Sequence, residues 1–221
     1  MRDASPKTIH LEDYRPPAFL VDQVHLWFDL REEGTSVRSR LNMRRNPVYQ
    51  GEPDLWLDGE QLEPVSFSLD GVPLADSLIC IEESGVRIQA PPDAFILETE
   101  VRIAPENNTA LEGLYRSGGM FCTQCEAEGF RRITWFPDRP DVMARFTTTI
   151  EADKASYPIL LSNGNPSDAE ELNNGRQRIT WTDPFPKPSY LFALVAGDLA
   201  LLEASFVTVS GRTVDLRIYS E

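Results

Sequence analysis

Apolar and polar side chains alternate strictly from residue 24 onward. Val24, Leu26, Phe28 and Leu30 fall on one face of an extended segment, and His25, Trp27, Asp29 and Arg31 on the other. A period of two marks a half-buried β-strand. After Glu33-Gly34 the alternation resumes, with Val37, Leu41 and Met43 set against Arg38, Arg40 and Asn42, so the two segments predict a hairpin. Leu55 and Leu57 lead into Asp58-Gly59, and Val65, Phe67 and Leu69 lead into Asp70-Gly71; both dipeptides are hairpin formers, so two more hairpins are expected. Further strands are predicted at residues 78–82, 86–90 and 95–103, with Pro91-Pro92-Asp93 as a break. Later candidates are residues 142–151, the stretch before Asn163-Gly164, residues 178–182 and the apolar run 190–196. A closing hairpin places Val207 and Val209 before Ser210-Gly211 and Val214, Leu216 and Ile218 after it. About a dozen short strands at near-regular spacing predict a mainly β fold, a sandwich or saddle of antiparallel sheets. The best helical candidate is one or two turns at residues 129–134, and no βαβ unit, glycine-rich phosphate loop, repeat or flexible linker is visible.

Composition agrees with this pattern. Seventeen prolines in 221 residues leave little room for long helices. The length suffices to bury a core, and one main domain is expected. Acidic residues outnumber basic ones by 35 to 21, and the net charge of -14 repels phosphate backbones and anionic lipid, which excludes nucleic acid as a natural ligand. The opening Met1-Arg2-Asp3-Ala4-Ser5-Pro6 is not followed by an apolar run of signal-peptide length, and no stretch reaches the ~18 apolar residues of a spanning helix. A cytosolic address with no membrane span is therefore the expectation. Three cysteines, Cys80, Cys122 and Cys125, are an odd number in so long a chain, so reduced thiols are expected in place of a disulfide framework.

Three features could carry chemistry. Cys122-Thr123-Gln124-Cys125 is a C-x-x-C, but a structural zinc site needs four ligands, and Cys80, His10 and His25 stand at no finger or ribbon spacing from it. A redox pair belongs at a helix start, whereas this pair lies within β patterning, so packing is the favoured role. His10 and His25 are the only histidines; neither lies near a nucleophile in sequence, and there is no His-Glu-x-x-His. Gln124, Glu126 and Glu128 fall at i, i+2 and i+4, so in an extended segment they point one way. Such a face is either solvated surface or, given Met120, Phe121, Phe130, Ile133, Trp135 and Phe136 around it, a carboxylate held ready for a cation.

Longer stretches carry a family resemblance. Asn108-Thr-Ala-Leu-Glu-Gly-Leu-Tyr-Arg-Ser117, Cys122-Thr-Gln-Cys-Glu-Ala-Glu-Gly-Phe-Arg131 and Asp138-Arg-Pro-Asp-Val-Met-Ala-Arg-Phe146 resemble the amino-terminal domain of bacterial aminopeptidase N, a zinc metallo-aminopeptidase of the gluzincin, alanyl aminopeptidase type. Leu160-Leu-Ser-Asn-Gly-Asn165 and Asp183-Pro-Phe-Pro-Lys-Pro-Ser-Tyr-Leu-Phe-Ala-Leu-Val-Ala-Gly-Asp198 extend the likeness. It implies a saddle-shaped β domain over residues 1–198 that covers the active site of a following catalytic domain, and makes residues 199–221 the first hairpin of that domain. Where the family has Thr-Gln-x-Glu this chain has Thr123, Gln124 and Glu126. The resemblance makes Glu126 the anchor for the free α-amine of a peptide substrate and Gln124 a wall of the first side-chain pocket. The zinc histidines, their glutamate base, the third zinc ligand and the oxyanion tyrosine have no counterparts here, so zinc is implied for the full-length enzyme only. The fragment is expected to bind no metal, to carry no catalytic residue and to be inactive alone. Where the broader family often has Asp-Glu-Pro this chain has Asp138-Arg139-Pro140, which leaves Arg139 without an assigned role. The alternative is a stand-alone β-sandwich binding module with no part in peptidase chemistry.

Overall fold

A computed structural model describes residues 10–221; the expectation of no leader rests on residues 1–6, which lie outside them. The described residues form β1 (Phe19–Asp29), β2 (Thr35–Arg45), β3 (Leu55–Asp58), β4 (Glu63–Leu69), β5 (Val72–Pro73), β6 (Ile79–Glu82), β7 (Gly85–Ile88), β8 (Ala94–Ile103) and β9 (Gly113–Ser117). They continue with β10 (Met120–Gln124), β11 (Met143–Asp153), β12 (Ile159–Ser162), β13 (Asn165–Glu171), β14 (Arg176–Pro188), β15 (Leu194–Gly197), β16 (Ala200–Val207) and β17 (Thr213–Ser220). Six short 3-10 turns are the only helical elements among them. One of these, Phe130–Arg132, lies where the sequence places its best helical candidate.

Eight strands form the largest sheet in the order β13-β14-β11-β1-β2-β8-β4-β5. The predicted alternation builds its inner face, where Val24 opposes Leu41 and Phe28 opposes Val37, all of them buried. A four-stranded sheet, β12-β15-β10-β9, and a three-stranded one, β3-β7-β6, close over that face. One apolar cluster joins all three, with Leu26, Leu97 and Ile150 from the large sheet, Phe121 and Leu194 from the second, and Leu57 and Val86 from the third. The mainly antiparallel β expectation is borne out, with one exception: β1 and β11 run parallel, from Gln23 beside Arg145 to Asp29 beside Glu151.

Two local expectations need correction. Asp70-Gly71 does close a hairpin between β4 and β5, with both residues at positive φ, 51° and 78°. Asp58-Gly59 does not: β3 pairs with β7, and the chain leaves it for another sheet. Asp58 instead pairs with Phe136 through backbone bonds of 2.8 and 3.2 Å, and a Cβ at Gly59 would lie 2.1 Å from the Trp135 ring. That glycine serves close packing rather than a turn. The run 190–196 is likewise a strand only at its end, because a 3-10 turn, Ser189–Leu191, comes first. Asn163 ties down the residues between that turn and β15, accepting from the Ala193 amide at 2.8 Å and donating to the Leu191 carbonyl at 3.1 Å. Among the described residues no helix is long and apolar enough to cross a membrane.

Candidate functional site

The Gln124 to Glu126 stretch sits where the β9–β10 hairpin meets the core. β10 is bonded to β9 along its length, from Met120 beside Ser117 to Gln124 beside Gly113. On its other side Thr123 extends the pairing with β15, since its hydroxyl accepts from the Leu194 amide at 2.8 Å. The strand stops at Gln124 because Cys125 drops into the core, 2% exposed, and the Gly129 amide bonds back to the Cys125 carbonyl at 2.8 Å. Gly129 can make this return because it lacks a side chain; a Cβ there would lie 2.4 Å from the Gln124 carbonyl oxygen.

The expected common strand face of Gln124, Glu126 and Glu128 therefore does not form. Glu126 and Glu128 lie on a turn, and the peptide bond after Glu126 is cis. The expected apolar surround also differs, because Phe121, Phe130, Ile133, Trp135 and Phe136 turn inward and are buried. The structure does bring Gln124 and Glu126 together: the Gln124 amide donates to the Glu126 backbone carbonyl at 3.3 Å. Both side chains are exposed. Glu128 pairs with Arg131 at 3.3 Å, whereas the Glu126 carboxylate has no hydrogen bond or ion pair among the described residues.

Beneath the turn lies a polar chain that sequence reasoning missed. Asp138, whose side chain is 1% exposed, accepts from the Arg131 amide at 3.1 Å, from Arg131 Nε at 3.2 Å and from the Ser189 hydroxyl at 2.5 Å. Burial pushes the Asp138 carboxyl up, while Ser189 and Arg131 pull it back. For Arg131 burial works against the charge, but Asp58, Asp138 and Glu128 outweigh it and the guanidinium is held more firmly protonated. The signal in the sequence was a charged pair, Arg131 and Asp138, bracketing the buried run from Ile133 to Phe136.

The competing candidates fall into place. Burial pushes the Cys125 thiol far up, and it raises Cys122 more weakly against a bond from Tyr115. Zinc and redox cysteines need the opposite shift, so packing describes Cys125. No group of three or more His, Cys, Asp or Glu side chains stands together among the described residues, so these residues do not fit the zinc that the resemblance implies. His25 stacks on Trp27 with centroids 3.7 Å apart and lies 3.3 Å from the Thr149 hydroxyl, an ordinary strand histidine on the outer face of the large sheet. His10 is exposed ahead of a short 3-10 turn. Arg139 gains a structural role: it pairs with Asp141 at 2.7 Å and donates to the Arg15 carbonyl at 2.8 Å.

Comparison with known proteins identifies the family. The family described as the peptidase M1 N-terminal domain matches residues 42–191. Aminopeptidase N of Caulobacter vibrioides is 52% identical over 99% of this chain, and aminopeptidase N of Escherichia coli is 48% identical over 97%. The chain spans about a quarter of those relatives, 25% and 24% of their lengths. Among solved structures, Legionella pneumophila aminopeptidase A in complex with aspartic acid superposes with a TM-score of 0.89 and 36% identity, over 95% of this chain and 25% of that one. An M1 zinc metallopeptidase of Deinococcus radiodurans bound to a Tyr-Ser-Ala substrate shares the fold at a TM-score of 0.75 and 19% identity, over 90% of this chain and 47% of that one. With a family match across more than half its length and such identity to its relatives, this chain belongs to the peptidase M1 N-terminal domain family.

Proposed function

We propose that this domain is the substrate-amine reader of a zinc-dependent, alanyl-type aminopeptidase, with Glu126 binding the free α-ammonium of a peptide and Gln124 lining the pocket for its first side chain. The observation that carries this is the Glu126 carboxylate, exposed and without a partner among the described residues, on a turn whose base is fixed by buried groups. An exopeptidase must measure one residue from the positive amine to the scissile carbonyl, and a fixed carboxylate supplies that reference point. A charge-assisted hydrogen bond contributes about 1.5 to 3 kcal/mol. Peptides blocked at the amine leave the carboxylate unpaired, so they are excluded more strongly than free ones are attracted.

The terminal hairpin supports a downstream partner within the same protein. Among the described residues β16 and β17 pair only with each other, and Leu202, Phe206 and Ile218 stand 64%, 58% and 62% exposed. Apolar side chains left open on a two-stranded ribbon call for a covering surface, which fits residues 199–221 as the first hairpin of a catalytic domain that this domain packs on. A cytosolic address belongs to the same proposal and is supported by three unpaired cysteines.

In the full-length enzyme, Glu126→Ala should lower kcat/KM for amino-acid anilides by about 100-fold with zinc content unchanged. Parental cleavage by that variant would refute the role of Glu126 and leave the binding-module alternative.

A further inference from the structure

We infer that Asp138 and Ser189 are positioning residues for the Glu126 turn, setting the height and direction of the amine-binding carboxylate through Arg131. This rests on the proposed role of Glu126.

The connections are continuous. The Cys125–Gly129 turn is followed at once by the 3-10 turn Phe130–Arg132, whose amides at Arg132 and Ile133 bond back to Gly129 and Phe130 at 3.1 and 2.9 Å. Arg131 is thus rigidly joined to the turn, and its guanidinium reaches back to Glu128 at 3.3 Å. Asp138 fixes Arg131 from below by both its amide and its side chain, and Arg131 Nη2 closes the ring on the Asp138 carbonyl at 3.2 Å. Ser189 fixes Asp138 in turn from the 3-10 turn that precedes β15. Through Thr123, β15 also holds the strand that enters the Glu126 turn. Both ends of the turn are therefore referred to one buried carboxylate.

Stability alone is a poor reason for such an arrangement. A buried ion pair loses most of its attraction to desolvation, and apolar groups of the same volume commonly stabilise as well or better. What a fully bonded buried pair does supply is a single geometry, and rigid support is what a site that measures distance requires. The Asp138 side chain is buried while Glu126 is exposed, which separates the mount from the head it carries.

The test is a cycle in the full-length enzyme with Asp138→Asn, Glu126→Ala and the double variant, assayed on an unblocked amino-acid anilide. The amine contact is made in ground and transition states alike, so losing its registration raises KM. Asp138→Asn is expected to raise KM roughly tenfold, with kcat per folded, zinc-loaded enzyme within about twofold of the parent. The double variant should then be no worse than Glu126→Ala alone. A purely structural role would lower the active fraction, and so the apparent kcat, without moving KM. Equal losses from Asp138→Asn with and without Glu126, or a parental KM, would overturn the inference while leaving the amine anchor intact. A parental Glu126→Ala would instead remove the anchor and the inference with it. Should Asp138→Asn fail to fold, Ser189→Ala keeps the ion pair and removes one bond. It is expected to raise KM about threefold in the parent and not at all beside Glu126→Ala, and a change in both backgrounds or in neither would refute the mount.

Discussion

Adding one methyl group at Gly129 tests how firmly the turn at residues 125–129 is seated. The backbone there is ordinary, with φ -79° and ψ -17°, so an alanine meets no dihedral strain. The obstacle is contact: a Cβ would lie 2.4 Å from the Gln124 carbonyl oxygen, 2.9 Å from the Gly113 amide nitrogen and 3.1 Å from Cys125 Cα. All three are backbone atoms of paired or buried segments, so none can swing aside as a side-chain tip would. Overpacking of this kind costs about 1 to 3 kcal/mol, and the entropy lost from the unfolded chain returns only about 0.4 to 1. A net loss of about 1 kcal/mol should lower Tm by roughly 2 to 4 °C in a chain of this size. Gly119 is the complementary control, with φ 90° and nothing within 4 Å of its Cβ, so Gly119→Ala isolates dihedral strain without a clash. Urea unfolding of both variants gives the comparison. A Gly129→Ala protein within about 0.5 kcal/mol of the parent would show that the turn is not wedged against β9 and β10, and the account of how Glu126 is presented would fail.

Two further outcomes follow from groups outside that turn. Burial first, and Arg40 second, push the His25 pKa from the usual 6.5 down to about 4, so between those values the unfolded chain binds a proton that the folded chain refuses. Stability from this group is complete above pH 6.5 and is lost as pH falls toward about 4, and solvent screening of a half-buried ring leaves about 1 kcal/mol of it. His25→Gln should flatten the fall in urea midpoint across that interval, and an unchanged slope would contradict the assignment. Arg139→Ala removes the bond to the Arg15 carbonyl and the pair with Asp141, which also accepts from the Tyr14 hydroxyl at 2.9 Å. Exposed pairs are worth about 0 to 1 kcal/mol, so Tm should hold while chymotrypsin cuts after the exposed Tyr14 several times faster; equal cutting rates would remove Arg139 as the clamp on this segment.

The strands that could be read from sequence were those with one wet and one dry face. β1, β2 and β8 show the alternation in their residues and in their burial. β13 gave no such signal, because all seven of its residues, Asn165–Glu171, are exposed at the edge of the large sheet. Asp58-Gly59 misled for a different reason. Turn chemistry reports local φ and ψ, but which sheet receives the next strand is decided by distant partners, here Leu55 beside Ile88 and Leu57 beside Val86. The parallel pairing of β1 with β11 joins segments more than a hundred residues apart, beyond any local pattern. At the site the period of two carried the chain correctly through Gln124 and then failed, since nothing in the alternation shows that a methyl group at Gly129 would strike the Gln124 carbonyl. Glu126 stands out by its spacing with Gln124 and Glu128, but its role comes only through resemblance, and its exposure arises on a turn beside the buried Cys125 and not on a strand face.

That exposure sets a condition on how the amine reading can work. With 35 acidic residues against 21 basic ones, the whole domain attracts ammonium groups at long range, but screening over about 8 to 10 Å makes that attraction indifferent to position. An exposed carboxylate adds only about 0 to 1 kcal/mol for a bound cation, too little to select one end of a peptide. The same contact grows severalfold once water is removed. A selective anchor at Glu126 therefore needs a second surface to close over the turn, while its own domain supplies the fixed position. The open apolar ribbon of β16 and β17 ends at the far end of the β9–β10 hairpin from Glu126, where a Cβ at Gly118 would lie 2.7 Å from the Glu221 carboxylate. On the proposed reading, Glu126 would supply direction from this side and depend on a cover for strength, so removing the cover and removing the carboxylate should cost amine selectivity to a similar degree.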